Sequence, residues 1–356
     1  MVKQQVKKKI LFVLPNLNYG GAEKVTINFF NNLCDNKFEK KLLIQNNKGP
    51  LENKIKKKNN VRYFGYKRFL YFSFILSSNI KKNNYDYIYS TLSHISFFLL
   101  FLKIMGIFKG KLIVRESNFI NKTIKSSKNK FLLLFYYKIL YKKIDKVIAS
   151  SQTIFKDIHH YTKIKKKKLL VLYNPVEISF FNKKNVEKKR DINKKIKFLS
   201  IGRLTHQKNF DKLIKVLSNY DKNNWELKII GKGNQKKYLS NLIRELGLDN
   251  KIKIIKESNT ILQEIKRSDY YLISSRWEGM PNSVIENIIM KKKIIFFNKI
   301  EVFNELKNLF PKQIIYFKRN YSFFNKLHKP YKLQNNQNCY LFEENIINYQ
   351  FEKLFK

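Results

Sequence analysis

A chain of 356 residues is too long for one typical domain and suits two, each able to bury its own core; a hydrophobic content of 44% is that of a globular protein. Two cysteines, Cys34 and Cys339, supply neither a disulfide framework nor metal-ligand spacing, which points to a reducing cytoplasm. The net charge of +47 leaves nucleic acid, an anionic membrane surface or acidic substrates as partners, and a specific nucleic acid is disfavoured because helix-turn-helix, zinc-spacing and aromatic RNA-binding cues are all missing.

The first residues run straight into an apolar strand at 10–14, so no signal peptide is expected. Gly20-Gly21-Ala22-Glu23 then opens a helix over 22–33, and two glycines at a helix N-terminus let backbone approach a phosphate. The full dinucleotide fingerprint is absent, which disfavours a bound NAD. Strands at 41–44, 61–64 and 85–90 alternate with helices at 69–80 and 95–105. His94 follows the strand at 85–90 and is a candidate general base or sugar-hydroxyl partner, or else a structural histidine. The apolar run 95–108 is interrupted by Lys103 and falls short of a membrane span. A strand at 111–114 is expected to end before Arg115-Glu116, leaving both on a loop. A helix at 129–142, a strand at 146–149, a helix at 152–159 and a strand at 169–172 complete the half. His159-His160 has no third ligand, and no metal site is expected.

Such alternation predicts an α/β protein with a parallel, doubly wound sheet. Asn174-Pro175 closes the first domain, 1–175, and 176–195 reads as a charged linker. The pattern restarts over 196–330, with strands at 197–201, 227–230, 251–255, 270–274 and 294–297. Helices are expected at 210–217, 236–246, 261–266 and 283–290. Two such sheets face each other across a cleft in this reading, with ligand at the carboxyl ends of the strands. Clear alternation is lost from about Asn320, and in the C-terminal segment 331–356 the stretch 344–355 has the look of a helix packing back on the first domain.

Chemistry gathers in the second half. Glu278-Gly279-Met280-Pro281-Asn282 joins the strand at 270–274 to a helix that carries Glu286, so two glutamates stand eight positions apart. Gly279 permits a tight turn, Pro281 suits the first helical position, and the helix start favours an anion. A carboxylate accepting from two neighbouring hydroxyls is a natural ribose clamp, and the layout suggests a nucleotide-sugar donor. Only nine of the 73 basic residues are Arg, yet Arg115, Arg203 and Arg276 all fall at strand ends, where a guanidinium fork suits a diphosphate. Lys208 adds a point charge near Gly202 and Arg203, and Gly231-Lys232-Gly233 is a further tight turn. Elsewhere, Arg68–Phe74 and Lys130–Lys143 interleave basic and aromatic residues. They read either as a face for an anionic membrane surface or as core-facing helices with solvated lysines.

Taken together, 10–297 resembles the retaining glycosyltransferases of family 4, which have the two-Rossmann GT-B fold. The motifs are Gly20-Gly21-Ala22-Glu23, Tyr173-Asn174-Pro175-Val176, Ile201-Gly202-Arg203-Leu204 with Lys208, Gly231-Lys232-Gly233, and Glu278 to Glu286. The resemblance implies that Arg203 and Lys208 hold the donor diphosphate and that Glu286 holds the ribose. Glu278 with the amides of Gly279, Met280, Pro281 and Asn282 would contact the donor sugar, beside Gly20, Gly21, Gly202, Gly231 and Gly233. Val114-Arg115-Glu116-Ser117 is similar to a segment lining the acceptor side in polysaccharide and lipid-linked oligosaccharide members, with His94 nearby. The chain departs from the family after Asn298, where the usual Pro and Gly are missing. The implied activity is hexosyl transfer from a UDP-sugar to a glycan or polyprenyl-linked acceptor, at the inner face of the membrane. Cationic stabilisation of the leaving diphosphate makes a cofactor or metal unnecessary in this reading. The alternative is a polyanion- or nucleic-acid-binding protein with a decayed GT-B fold.

Overall fold

The computed structural model describes residues 6–18, 20–127, 129–178, 195–220, 224–256, 261–318, 327 and 337–355. The chain divides into two units, Met1–Pro175 with Glu344–Lys356, and Val176–Glu343. Most of the segment read as a linker lies outside the described residues.

In the first unit seven parallel strands, β1 (Lys8–Leu14), β2 (Phe38–Ile44), β3 (Val61–Tyr63), β4 (Tyr87–Ser90), β5 (Lys111–Glu116), β6 (Lys146–Ala149) and β7 (Leu169–Val171), lie in the order 3-2-1-4-5-6-7. Both faces are covered, so the strands read as continuous apolar runs rather than alternating ones. Side chains nevertheless alternate: Ile10, Phe12 and Leu14 enter one core with α1 (Gly21–Asn32), while Leu11 and Val13 enter the other with α2 (Phe69–Asn83) and α3 (Ser93–Ile104). The segment Glu344–Glu352 is a helix that returns to the first core. Its Phe351 stacks on Phe29 with ring centroids 3.9 Å apart.

The expected helix over 129–142 is broken. An α-helical piece, Lys130–Phe135, passes into a π-turn, Tyr136–Leu140, and then a 3₁₀ turn, Tyr141–Lys143. Tyr136, Tyr137 and Tyr141 are all fully buried. An α-helix cannot easily turn neighbours 136 and 137 and also residue 141 into one core, whereas the wider i→i+5 turn accommodates them.

The second unit repeats the plan with six parallel strands: β8 (Ile196–Ile201), β9 (Trp225–Ile230), β10 (Ile252–Ile255), β11 (Tyr270–Ile273), β12 (Lys293–Phe296) and β13 (Ile314–Tyr316). Their order is 10-9-8-11-12-13. Helix α7 (Phe210–Ser218) buries Phe210, Leu213, Ile214 and Leu217, four side chains at helical spacing worth roughly 1.5–3 kcal/mol each on burial. Where the chain departs from the family after residue 298, the fold continues regularly with a helix at Glu301–Leu309 and then β13.

Candidate functional site

In the second unit the strand order reverses between β8 and its neighbour β11, so the loops leaving their carboxyl ends diverge and open a crevice. These two loops, 202–209 and 274–281, carry Gly202, Arg203 and Lys208 on one side and Glu278, Gly279, Met280 and Pro281 on the other. They are stitched together along their length. Arg276 N donates to Gln207 O at 2.8 Å, Gln207 Nε2 to Trp277 O at 3.0 Å, Ser274 Oγ to Lys208 O at 2.9 Å and Asn209 Nδ2 to Ser274 O at 3.1 Å. Asn209 sits in the left-handed region with φ 57°, a conformation that asparagine tolerates and that starts α7 at the right angle.

The stitching brings Lys208, half-buried, and Glu278, buried, into an ion pair, Nζ to Oε1 at 2.5 Å. Ser275 Oγ donates to the same Oε1 at 2.7 Å. Oε2 has no hydrogen-bond partner among the described residues. Arg203 is exposed on the same loop as Lys208 and has no ion-pair partner among the described residues. Glu286 is half-buried on α10 (Asn282–Ile289), and its carboxylate likewise has no ion-pair partner there. Tyr271 fixes the start of this helix to β8, its hydroxyl donating to Ser283 Oγ at 2.6 Å; burial raises the phenol pKa. Gly279 and Met280 are buried. Pro281 occupies the cap position rather than the first helical one.

The glycines act mainly through close packing of backbone. A Cβ on Gly231 would lie 1.9 Å from Gly202 O, and one on Gly233 2.2 Å from Leu204 O. A Cβ on Gly202 would meet Lys208 Cε at 2.9 Å, so the lysine stem runs across this glycine toward Glu278.

Three arginine and glutamate expectations are corrected. Arg276 is a staple between the two loops, its Nε donating to His206 O and its guanidinium 3.7 Å from the Asp211 carboxylate. Arg115 and Glu116 are not on a loop, because β5 extends through both. Successive side chains of a strand point to opposite faces, so each is driven into a different core. Arg115 is fully buried, donating to Leu172 O at 3.0 Å and Asn174 Oδ1 at 2.5 Å over the Phe29 ring. Glu116 accepts hydroxyls from Tyr137 and Tyr141, each at 3.2 Å, and burial pushes its carboxyl up to about 8. Neither residue presents its charge to an acceptor. The other first-unit candidates do lie at carboxyl ends of strands: Gly20 caps α1, Gly21 begins it, and His94 is exposed at the start of α3 beside Phe69. Sequence reading missed Ser275, Gln207 and Asn209, whose only signal is polar character at strand ends.

The basic-aromatic stretches split between surface and core. Leu70, Tyr71 and Phe74 of α2, Phe101 and Met105 at the end of α3, and Phe131, Phe135 and Ile139 are exposed, Phe131 to 89%. The tyrosines of 136–141 are core. Among the described residues no helix is long and apolar enough to cross a membrane, and no group of three or more His, Cys, Asp or Glu is placed to hold a metal.

Residues 19–180 match the model of Glycosyltransferase Family 4, and 182–322 that of Glycosyl transferases group 1. The capsular polysaccharide biosynthesis glycosyltransferase CapH of Staphylococcus aureus is 29% identical over 297 residues, 78% of each chain. An N-acetylgalactosamine-N,N'-diacetylbacillosaminyl-diphospho-undecaprenol 4-alpha-N-acetylgalactosaminyltransferase of Campylobacter jejuni is 30% identical over 186 residues, 51% of this chain and 49% of that one. Among solved structures, Anabaena Alr3699/HepE in complex with UDP-glucose superposes with a TM-score of 0.76 at 16% identity, over 97% of this chain and 98% of that one.

Proposed function

Since the chain belongs to the group 1, family 4 glycosyltransferases and is therefore a GT-B enzyme of glycan biosynthesis, we propose that it moves a hexosyl group from a UDP-sugar to a lipid-linked or growing surface glycan, with retention of anomeric configuration. The observation that carries this reading is the partly buried Lys208–Glu278 pair beside exposed Arg203, on two loops stitched at the switch point of the second sheet. Charge that develops on the leaving diphosphate meets two cations already in place, so little reorganisation is needed in the transition state. Arg203 supplies a planar fork and Lys208 a point charge held near Glu278. The Glu286 carboxylate takes the ribose hydroxyls, and Glu278 takes a hydroxyl of the transferred sugar through Oε2.

UDP as the nucleotide is supported by the likeness to HepE, and a polyprenyl-diphosphate acceptor by the Campylobacter relative. His94, exposed just after β4, is assigned to an acceptor hydroxyl in this reading. The exposed apolar residues of α2, α3 and 131–139, among many lysines, support peripheral attachment to an anionic cytoplasmic leaflet. Each lysine near such a surface contributes about 1 kcal/mol, and inserted aromatics add a part that salt does not screen.

A thermal-shift panel of UDP- and other nucleotide-linked hexoses and N-acetylhexosamines tests the donor. A true donor at 100 times its Kd stabilises by about 2.7 kcal/mol. Absence of any shift with every UDP-sugar would refute the UDP assignment.

A further inference from the structure

The residue that begins the divergent region reaches back into the site. Asn298 follows β12, the parallel neighbour of β11, and its Nδ2 donates to Ser274 O at 2.5 Å and to Ser275 O at 3.0 Å. Its Oδ1 accepts from Lys212 Nζ, which also donates to Phe297 O at 3.1 Å. Ser274 O thus receives two amides, one from Asn209 at the start of α7 and one from Asn298. The peptide between Ser274 and Ser275 is gripped from both sides, and Ser275 is fully buried. From that fixed backbone the Ser275 hydroxyl holds Glu278 Oε1, which Lys208 also occupies.

We infer that Lys212, Asn298 and Ser275 form a positioning relay for Glu278. It saturates Oε1 and leaves Oε2 as the single acceptor offered to a donor-sugar hydroxyl. The inference rests on the reading of Glu278 as a sugar contact. The physical case is that a carboxylate with one oxygen doubly bonded to fixed donors cannot rotate, so its second oxygen is held in one place before substrate arrives. The relay also accounts for a chain that lacks the Pro and Gly expected after β12: the loop is held by the Asn298 side chain, and its backbone needs no special conformation.

The test measures Kd for UDP and steady-state turnover with UDP-glucose, UDP-galactose, UDP-N-acetylglucosamine and UDP-N-acetylgalactosamine, scored on the best donor. Ser275→Ala and the near-isosteric Asn298→Asp, which keeps an acceptor for Lys212 but loses both amide donors, should each lower kcat about tenfold. UDP affinity should stay within about twofold, because the nucleotide contacts lie on Arg203, Lys208 and Glu286. Ser275→Thr, which restores the hydroxyl, should recover most of the loss. The double variant should be little worse than either single one, as expected for residues acting through one carboxylate. Additive losses, or UDP affinity falling in step with kcat, would overturn the relay and leave only a loop-stability role. Glu278→Ala separates the two levels. If it costs turnover while Asn298→Asp does not, the relay alone is wrong; if it costs nothing, or no UDP-sugar of the four is turned over, the underlying site reading fails and the relay with it.

Discussion

Replacing Glu116 by glutamine should make the first unit more stable above neutral pH while changing little under acid conditions. The carboxyl lies between β5 and the π-turn, 5% exposed, with the Tyr137 and Tyr141 hydroxyls on it, the Tyr136 ring close by and Asp157 adding a like charge. Burial raises its pKa from the usual 4.5 to about 8. Between those values the native state holds a proton that the unfolded chain has released. Stability therefore falls as pH rises through that window, by about 1.4 kcal/mol per unit, and levels off once the native carboxyl also ionises. At pH 7 the accumulated cost is on the order of 3 kcal/mol. Glutamine is neutral throughout, has nearly the same shape, and its carbonyl accepts the same two hydroxyls. The assay is hydrogen exchange of peptides covering 111–116 and 136–141, comparing wild type with Glu116→Gln at each pH from about 4 to 9, which reports this unit without assuming that both units unfold together. Protection in the variant should exceed wild type increasingly up to about pH 8 and match it near pH 4.5. Parallel pH dependence in the two proteins, or weaker protection in the variant at pH 8, would refute the assignment of Glu116 as a protonated core residue.

Arg203→Ala should reduce turnover roughly 10²–10³-fold, the usual cost of one preorganised transition-state donor, and near-normal turnover in a donor assay would remove Arg203 from the mechanism. Gly231→Ala should destabilise the second unit by more than about 1–3 kcal/mol, since its Cβ would stand 1.9 Å from Gly202 O and only backbone can move; the fluorescence of buried Trp225 during urea unfolding reads this directly. Phe131→Ser with Phe135→Ser should weaken co-sedimentation with phosphatidylglycerol vesicles, chiefly the fraction surviving 0.5 M salt. Because Phe131 is 89% exposed, the melting temperature should barely move, and unchanged sedimentation would mean these side chains do not enter the membrane.

Much of this protein was legible along the chain because it is local. All seven strands expected in the first half are present, since apolar runs such as Leu11–Leu14 and Lys146–Ala149 have no alternative once helices cover both faces of a parallel sheet. The Glu278–Glu286 spacing, with glycine and proline between, likewise specifies a strand-loop-helix corner by itself. Other features depended on partners far along the chain. Two more residues of β5 separated a loop pair available to ligand from two buried side chains on opposite faces, and those residues became strand because β6 pairs with them, Arg115 against Ile148 and Glu116 against Ala149. The 130–143 stretch has helical spacing throughout, yet the core on one side took its tyrosines and left the phenylalanines to solvent, at the cost of regular helix geometry. The grip on Glu278 runs through residues up to 86 positions apart, from Lys212 to Asn298, whose side chains have no pattern in sequence. Local propensity and periodicity place a side chain on an element; which way it faces, and what it holds, is settled only when strands from distant parts of the chain lie side by side.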